Sequence, residues 1–330
     1  MRVSNRPYGV SGPLSTHTEV KPRSGTSLES IKSLYGQNGN DVLDGGDGRD
    51  RLYGGNGNDT LRGGTGSGDR LEGNAGDDIY LFGAGDGNTT VYNYDRGEDR
   101  NDVLRFLEGI EASGVTATRN GDHLLLTVGS TGEVITVSYY FHGDATSGYQ
   151  LDGIEFADGT VWDVDIVKGL VQQGSEGADT LYGSASDDTI NGLGGNDRLY
   201  GAAGSDDTYL FGAGDGNTRV NNYDANAASV DTTQFEDVTI EDLWFSRSGN
   251  DLQITVSGTD DQVAISNWYS NSNYQVDRLE TGSSVLLNSQ VEQLVSAMAS
   301  YSVPSGAGNG IPQDVKDELQ PILVDTWQTT

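Results

Sequence analysis

A nine-residue period in two stretches of the chain restricts its fold more than any other feature. The common pattern places glycine in the first positions, aspartate at the sixth and an apolar residue at the eighth, and the copy that begins at Gly63 has one extra residue. In the first array, which begins at Gly36, the aspartates are Asp41, Asp50, Asp59, Asp69 and Asp78. In the second array, which begins at Gly174, they are Asp179, Asp188, Asp197 and Asp206. Because nine residues cannot bury an apolar side chain alone, the period predicts a coil of stacked turns.

Each repeat divides into a six-residue turn and a three-residue strand whose apolar side chain points inward. The inward residues are Leu43, Leu52, Leu61, Leu71 and Tyr80 in the first array, and Leu181, Ile190 and Leu199 in the second. Two repeats complete one coil, so each turn is expected to stack on the turn two repeats later. The sequence therefore predicts an all-β fold containing two parallel β-rolls.

A longer duplication encloses the two arrays. Residues 80–95 and 209–224 differ at only two positions, and a weaker likeness continues beyond them. Leu252, Ile254 and Val256 alternate with polar residues, which is the period of a half-buried strand. We therefore expect an antiparallel β segment after each roll, followed by a short helical C-terminal tail. The predicted division is a polar linker at 1–35, a roll at 36–95, a β-rich segment at 96–173, a roll at 174–224, a β-rich segment at 225–287 and the tail at 288–330.

Charge and composition limit what the chain can bind. It has 50 acidic against 19 basic residues, a net charge of −31, which makes nucleic acid an improbable partner. It has no cysteine, which excludes disulfides and thiolate metal sites. No apolar run is long enough to cross a bilayer. Such acidity indicates either a disordered chain or bound divalent cations, and the regular spacing of the aspartates favours cations.

Calcium is the cation that suits these ligands. The aspartate carboxylates and turn carbonyls are hard oxygens, of which Ca²⁺ takes six to eight in flexible geometry. The repeats resemble the RTX, or haemolysin-type, calcium-binding nonapeptide Gly-Gly-x-Gly-x-Asp-x-U-x, in which U is apolar. This resemblance implies that the sixth-position aspartates bind Ca²⁺. The turn glycines we assign to the sites are Gly39, Gly46, Gly48, Gly55, Gly57 and Gly195.

The two arrays are expected to differ in strength. The second array lacks glycine at the second turn position, where it has Ser175, Ser184, Leu193 and Ala202. A side chain forced to positive φ costs on the order of 1 kcal/mol, so this array is predicted to need more calcium. A further turn follows each array, but its sixth position holds Thr89 or Thr218, so Asp86 and Asp215 are more simply explained as turn residues than as ligands.

The C-terminal tail has two apolar stripes at helical spacing. The first comprises Val291, Leu294, Val295, Met298 and Tyr301, and the second comprises Val315, Leu319, Ile322 and Leu323. The tail resembles the uncleaved export signals of type I secreted proteins, and Met1 to Pro13 lacks the apolar core of a secretory signal peptide. The alternative is a helical hairpin docked on the β segments.

These observations predict a secreted, extracellular, non-enzymatic calcium-binding module of a bacterial protein, which folds on Ca²⁺ outside the cell. Its expected partners are calcium ions and the type I secretion apparatus. An adhesin that binds a cell-surface glycan is one alternative, and the C-terminal part of a secreted hydrolase is another. The aromatic residues that core packing or a glycan would use are Tyr139, Tyr140, Phe141, Trp162, Trp244 and Trp268. His17, His123 and His142 lie in unrelated contexts and suggest no catalytic group.

Overall fold

A computed structural model describes residues 19–20, 31–97, 100–226, 228–304 and 306–329. The chain forms two compact units, Met1–Val164 and Asp165–Thr330. Most of the predicted linker at 1–35, including His17, lies outside the described residues. Its described part already contributes strands, because Glu19–Val20 is β1 and β2 begins at Ser33. None of the described helices is both long and apolar enough to span a membrane.

The first unit begins with a parallel β-roll in which successive strands alternate between two sheets. After β1, the strands β2 to β9 are Ser33–Asn38, Val42–Asp44, Arg51–Asn56, Thr60–Arg62, Asp69–Ala75, Ile79–Phe82, Thr89–Val91 and Val103–Phe106. Strands β2, β4, β6 and β8 form one sheet, and β1, β3, β5, β7 and β9 form the other. Leu43 pairs with Leu61, eighteen residues later, so two repeats complete one coil as predicted.

The segment after the first roll extends both sheets of that roll. It contains a short 3-10 helix, Ala112–Gly114. Its strands β10 to β14 are Val115–Asn120, His123–Val128, Glu133–Val137, Gly153–Glu155 and Val161–Trp162. Strands β10, β11 and β12 are antiparallel, and β12 pairs parallel with β8. On the other sheet β13 pairs parallel with β9, so the segment continues the roll directly.

The second unit repeats this plan. Helix α1 is Val164–Leu170, and the roll strands β15 to β20 are Thr180–Tyr182, Thr189–Asn191, Arg198–Tyr200, Thr208–Gly212, Asn217–Asn221 and Thr232–Glu236. The strands that follow, β21 to β26, are Leu243–Ser248, Asp251–Val256, Gln262–Ile265, Arg278–Thr281, Ser284–Leu287 and Gln328–Thr329. The 3-10 helices are Ile240–Asp242 and Ser272–Tyr274. The all-β fold class with two parallel rolls is confirmed.

The rolls have thin cores, whereas the segments after them hold most of the large side chains. A three-residue roll strand such as Val42–Asp44 buries a single apolar side chain, here Leu43. Five of the six aromatic residues weighed above are buried, namely Tyr140, Phe141, Trp162, Trp244 and Trp268. Core packing is therefore confirmed for these five, and a glycan cannot stack on them. Tyr139 is the exception, because 42% of it is exposed.

The C-terminal tail is a docked helical hairpin. Its helices are α2, Asn288–Met298, and α3, Gln313–Thr326. The buried residues Val291, Leu294, Met298, Leu319 and Leu323 belong to the core of the second unit. After α3 the chain returns as β26, which pairs with β25. The tail is therefore part of the fold of this unit, which leaves its role in export as a separate question.

Candidate metal centre

A ladder of aspartates runs along the first roll, and its rungs are linked by hydrogen bonds. The Oδ1 atom of Asp59 accepts a hydrogen bond from the backbone N–H of Asp41 at 2.7 Å. The same contact joins Asp69 to Asp50 at 2.7 Å and Asp78 to Asp59 at 2.8 Å. These bonds hold each carboxylate at the start of an inward-facing strand and orient its second oxygen into the stacked turns.

The second carboxylate oxygens of the ladder are buried without a donor. Among the described residues, the Oδ2 atoms that are buried and have no hydrogen-bond partner include those of Asp50, Asp59, Asp69, Asp78 and Asp197. A buried acceptor left unsatisfied costs roughly 1–3 kcal/mol, and a charged one costs more. A repeated set of such oxygens, one per turn, is what a row of bound cations would satisfy.

The first glycine of each turn leaves open the space that these oxygens face. A Cβ atom on Gly36 would lie 2.7 Å from Asp41 Oδ2 and 2.6 Å from the carbonyl oxygen of Gly54, two repeats later. Carboxylate and carbonyl oxygens therefore flank one small space, which any other side chain would fill. The same arrangement recurs at Gly54, beside Asp59 and the carbonyl of Gly73.

At the turn formed by residues 45–50, the ammonium group of Lys32 already lies among oxygens of these kinds. The Lys32 ammonium donates to the carbonyl oxygens of Gly45 and Asp47 at 2.7 and 3.0 Å. It also lies 3.7 Å from Asp50 Oδ2. The first and third carbonyls of a turn and its ladder aspartate thus converge on one positive charge. The residues present fit a hard cation.

Backbone carbonyls must supply most of the ligands. Within the described ranges there is no group of three or more histidine, cysteine, aspartate or glutamate side chains suited to a metal. Ca²⁺ accepts a majority of carbonyl ligands, whereas transition metals prefer imidazole or thiolate. The structure places all the predicted glycines in turns with positive φ: Gly39, Gly46, Gly48, Gly55, Gly57 and Gly195. Their role as ligands remains a prediction.

Burial changes the acidity of the ladder. Loss of hydration raises the pKa of Asp59 and of Asp69 to about 6, and that of Asp78 to about 8. In the second roll, burial likewise raises the pKa of Asp197 to about 6. A charged carboxylate is disfavoured at these positions because it lacks water, and a bound cation would offset that cost.

Acid is expected to replace part of the calcium requirement. These pKa values exceed the ordinary 3.8, so without metal the folded ladder binds protons more tightly than the unfolded chain does. The calcium-free roll is therefore most stable below about pH 4 and loses this stabilisation as the pH rises through about 6 to 8. Circular dichroism in EDTA should show more β structure near pH 4 than near pH 8.

The matched control for this pH effect is Asp59→Asn, which removes one ladder titration and changes the net charge by only one. If the ladder causes the effect, the variant should depend less on pH than the parent chain. A calcium-free chain that loses structure on acidification would contradict the prediction. Protons should also compete with calcium, so the calcium affinity of the parent chain should fall as the pH is lowered from about 8 to about 6.

The predicted register of the last repeat in the second array is wrong by one residue. Asp207, not Asp206, takes the ladder position, because its Oδ1 accepts the backbone N–H of Asp188 at 3.2 Å. Asp207 is buried, and burial raises its pKa to about 8. Asp206 is exposed, and its carboxylate accepts the backbone N–H of Val230 instead. This repeat has one extra residue in its turn.

In the first two turns of the second array, the aspartate Oδ2 atoms already have donors. Asp179 Oδ2 accepts hydrogen bonds from the backbone N–H and the hydroxyl of Ser175, at 2.7 and 2.8 Å. Asp188 Oδ2 accepts the backbone N–H of Ser184, and its Oδ1 accepts Gln172 Nε2 at 2.6 Å. A calcium ion in these turns would have to displace bonds that the first array does not make.

Backbone strain does not separate the arrays in the way the sequence predicts. Leu193 and Ala202 have φ of 56° and 84°, as expected. In the first array, however, Gln37 and Asn74 also have positive φ, and neither Ser175 nor Ser184 does. The expectation of strain at every second position of the second array is therefore wrong. Competing hydrogen bonds are the better reason to expect weaker binding there.

Each ladder ends at an aspartate that the nine-residue period did not predict. Asp102 Oδ1 accepts the backbone N–H of Asp78, and its Oδ2 accepts Asn93 Nδ2 at 3.0 Å and Arg100 Nη1 at 2.7 Å. The equivalent rung in the second unit is Asp231, bonded to Asn222 Nδ2 at 2.8 Å. At these last rungs, side-chain N–H groups therefore satisfy the carboxylate oxygen that faces a cation elsewhere in the ladder. The near-identity of the two duplicated segments was the sequence signal for Asn93 and Asn222.

The additional turn after each array needs no metal. Asp86 forms a two-point ion pair with Arg62, at 2.7 and 3.0 Å, which supports its interpretation as a turn residue. Glu133, from the antiparallel segment, accepts the backbone N–H groups of Gly85 and Gly87. Asp261 binds the corresponding turn of the second unit in the same way. Each roll is therefore closed by a carboxylate from the segment that follows it.

Comparison with known families assigns both parts of each unit. The RTX calcium-binding nonapeptide repeat matches residues 35–68, 67–88 and 173–208. The haemolysin-type calcium binding protein related domain matches residues 123–165 and 251–287, within the antiparallel segments. The first model covers the aspartate ladders, and calcium is the ion that these repeats bind. That the ladder aspartates are its ligands remains a prediction.

Two individual proteins are similar to parts of the chain. The iron-regulated protein FrpA of Neisseria meningitidis serogroup C is 47% identical over 103 residues, which cover 31% of this chain and 9% of FrpA. The extracellular lipase LipA from Serratia marcescens matches with a TM-score of 0.25 and 19% identity, over 66% of this chain and 37% of the lipase. The likeness to the lipase is too weak to support an argument about fold or activity.

Proposed function

Since this chain carries RTX calcium-binding nonapeptide repeats, we propose that it is a module of a secreted bacterial protein that folds on Ca²⁺ outside the cell. The observation that carries the proposal is the column of buried Oδ2 atoms without donors. Each rung places a negative charge in a low-dielectric site, and the chain as a whole has a net charge of −31. Bound calcium gives each buried carboxylate a counter-ion and lowers the net negative charge of the chain.

Metal binding then supplies much of the folding free energy. A three-residue roll strand such as Thr60–Arg62 buries only one apolar side chain, Leu61, which is little against the conformational entropy of ordering its nonapeptide. Extracellular calcium modules typically bind at ~10⁻⁴–10⁻³ M, well above cytosolic calcium. We propose that the chain remains unfolded inside the cell and folds after export.

Folding also decides whether the C-terminal tail is accessible. In the folded second unit, α2 and α3 bury their apolar faces in the core. In the calcium-free, unfolded chain those faces are free to contact a secretion apparatus. We propose that the tail is the type I export signal before folding and a structural element afterwards.

Export should depend on residues 288–330. Deleting them is expected to retain the protein in the cytosol of a host that carries a type I system. Because the deletion also removes core residues such as Leu294 and Leu323, the decisive arm fuses residues 288–330 to an unrelated passenger. Export of the passenger supports the proposal. Continued export of the truncated chain, or failure to export the passenger, would show that the signal lies elsewhere.

We propose that the two units act structurally rather than as an enzyme. The observation that supports this is that the buried carboxylates described above have structural roles in the ladders, their end rungs and the closing turns. Turnover of an ester, peptide or glycan substrate by the purified chain would overturn this.

A glycan is the second partner we propose. The observation that favours it is a group of tyrosines near the surface of the first unit, of which Tyr139 and Tyr94 are 42% and 37% exposed.

A further inference from the structure

Four tyrosines of the first unit form one cluster of rings. Tyr149 lies at its centre, with its ring centroid 5.6 Å from that of Tyr92, 4.6 Å from that of Tyr94 and 5.3 Å from that of Tyr139. We call Tyr92, Tyr94, Tyr139 and Tyr149 the tyrosine cluster. His123 and His142 add imidazole rings beside it, 5.0 Å from Tyr139 and 6.0 Å from Tyr149.

A polar cleft of about 480 Å³ adjoins the tyrosine cluster. Arg96 connects the two, since it lines the cleft and its guanidinium lies 5.3 Å from the centre of the Tyr94 ring. The cleft is also lined by Arg100, Gln150 and Asp152. Ring faces and polar groups are therefore presented side by side on one surface of this unit.

Arg100 is a buried arginine behind the polar wall of the cleft. Its side chain is only 6% exposed, and Nη1 is bonded to Asp102 and to the carbonyl oxygen of Gln150. Nη1 also lies 3.6 Å from the carboxylate of Asp152, which is 30% exposed and lines the cleft. Arg100 therefore positions a carboxylate that a ligand hydroxyl in the cleft can reach.

The second unit shows what the same fold looks like without this surface. At the positions equivalent to Tyr92, Tyr139, His123, His142, Arg96 and Arg100 it has Asn221, Asn267, Asp251, Ser270, Ala225 and Ser229. Tyr223 and Tyr274 alone keep the ring pair, with centroids 5.1 Å apart. The cluster and its arginines are therefore not required by the β-roll or by its antiparallel segment.

The backbone of Tyr139 is strained. Its φ is 60°, and that of Asn267 at the equivalent position is 57°. Asparagine tolerates this left-handed conformation better than a bulky residue does. A strained, exposed tyrosine where the duplicate has a relaxed asparagine indicates that its ring is kept for binding rather than for stability.

We propose that the tyrosine cluster and the adjoining cleft form a binding site for a neutral oligosaccharide, which rests on the glycan partner proposed above. A pyranose has an apolar C–H face that stacks on tyrosine and a rim of hydroxyls that both donate and accept. One hydroxyl accepts from the guanidinium of Arg96, and another donates to the carboxylate of Asp152, since both side chains line the cleft. The net charge of −31 disfavours polyanions, and the polar cleft offers no pocket for an apolar peptide side chain.

The test is a glycan array probed with the full chain in millimolar calcium, followed by titration with the best neutral oligosaccharide. The variants are Tyr139→Asn and Arg96→Ala, which install the residues of the second unit. Each is expected to weaken binding at least tenfold. The control is Tyr35→Asn, at a 58% exposed tyrosine outside the cluster, and it should leave binding unchanged.

Thermal unfolding distinguishes lost binding from lost structure. Tyr139→Asn should not lower the melting temperature, because asparagine relieves the backbone strain. Loss of affinity with an unchanged or raised melting temperature supports the site. Unchanged affinity in both variants, or an equal loss in Tyr35→Asn, would overturn the site while leaving the glycan partner intact. A wild-type chain that binds no glycan, or only polyanionic ones, would overturn both.

Discussion

Removal of calcium by EDTA near neutral pH is expected to abolish most of the β structure of both units. The buried ladder carboxylates would then be charged or partly charged without a counter-ion, in a chain of net charge −31. The short roll strands cannot compensate, because those of three residues, such as Val42–Asp44 and Thr60–Arg62, bury one apolar side chain each. Far-UV circular dichroism should show a largely unfolded chain in EDTA and cooperative recovery as calcium approaches ~10⁻⁴–10⁻³ M.

Magnesium is the control for charge screening. Mg²⁺ requires a tighter octahedral shell and loses water reluctantly, so it fits a carbonyl-rich site poorly. Equal concentrations of magnesium should restore little structure. A native spectrum in EDTA, or full recovery with magnesium, would contradict calcium-specific folding.

Replacing one ladder aspartate should have very different effects in the two arrays. Asp59→Asn keeps the Oδ1 contact to Asp41 but converts the donor-free Oδ2 into an amide, so calcium affinity in the first array should fall about tenfold or more. Asp188→Asn should have a smaller effect, because Asp188 Oδ2 is already bonded to Ser184. The first array should also saturate at lower calcium than the second.

Tryptophan fluorescence can separate the two units within the full chain. Trp162 belongs to the first unit, and Trp244, Trp268 and Trp327 belong to the second. A Trp162→Phe background therefore reports only the second unit, while calorimetry reports both. Asp77→Asn, at a half-buried neighbour of the ladder, is the control and should leave affinity unchanged. Equal losses in Asp59→Asn and Asp188→Asn would refute the ranking.

The repeat period was sufficient to predict the rolls and most of the ladder. Spacing fixes which residues stack when every turn has the same length, as from Asp41 to Asp59. It fails where a turn gains a residue next to a second aspartate. Asp206 and Asp207 both suit the motif, and the pairing of Tyr209 with Ile190 selects Asp207. The duplication agrees, because Asp207 precedes Tyr209 as Asp78 precedes Tyr80.

The ends of the rolls could not be derived from the period, because their contacts are long-range. Asp102 meets Asp78 across 24 residues, and Glu133 reaches Gly87 across 46. No local pattern encodes such pairs. Comparing the duplicated halves would have singled out Asn93 and Asn222, which sit in the near-identical segments.

An anomalous-scattering experiment on crystals grown in calcium tests the central claim most directly. Calcium peaks are expected within the first roll, each beside a ladder Oδ2 such as that of Asp59 and a first-position carbonyl such as that of Gly73. Fewer or weaker peaks are expected beside Asp179 and Asp188. Peaks confined to carboxylates outside the ladder, such as those of Asp47 and Asp77, with none along the ladder, would contradict calcium binding by the ladder.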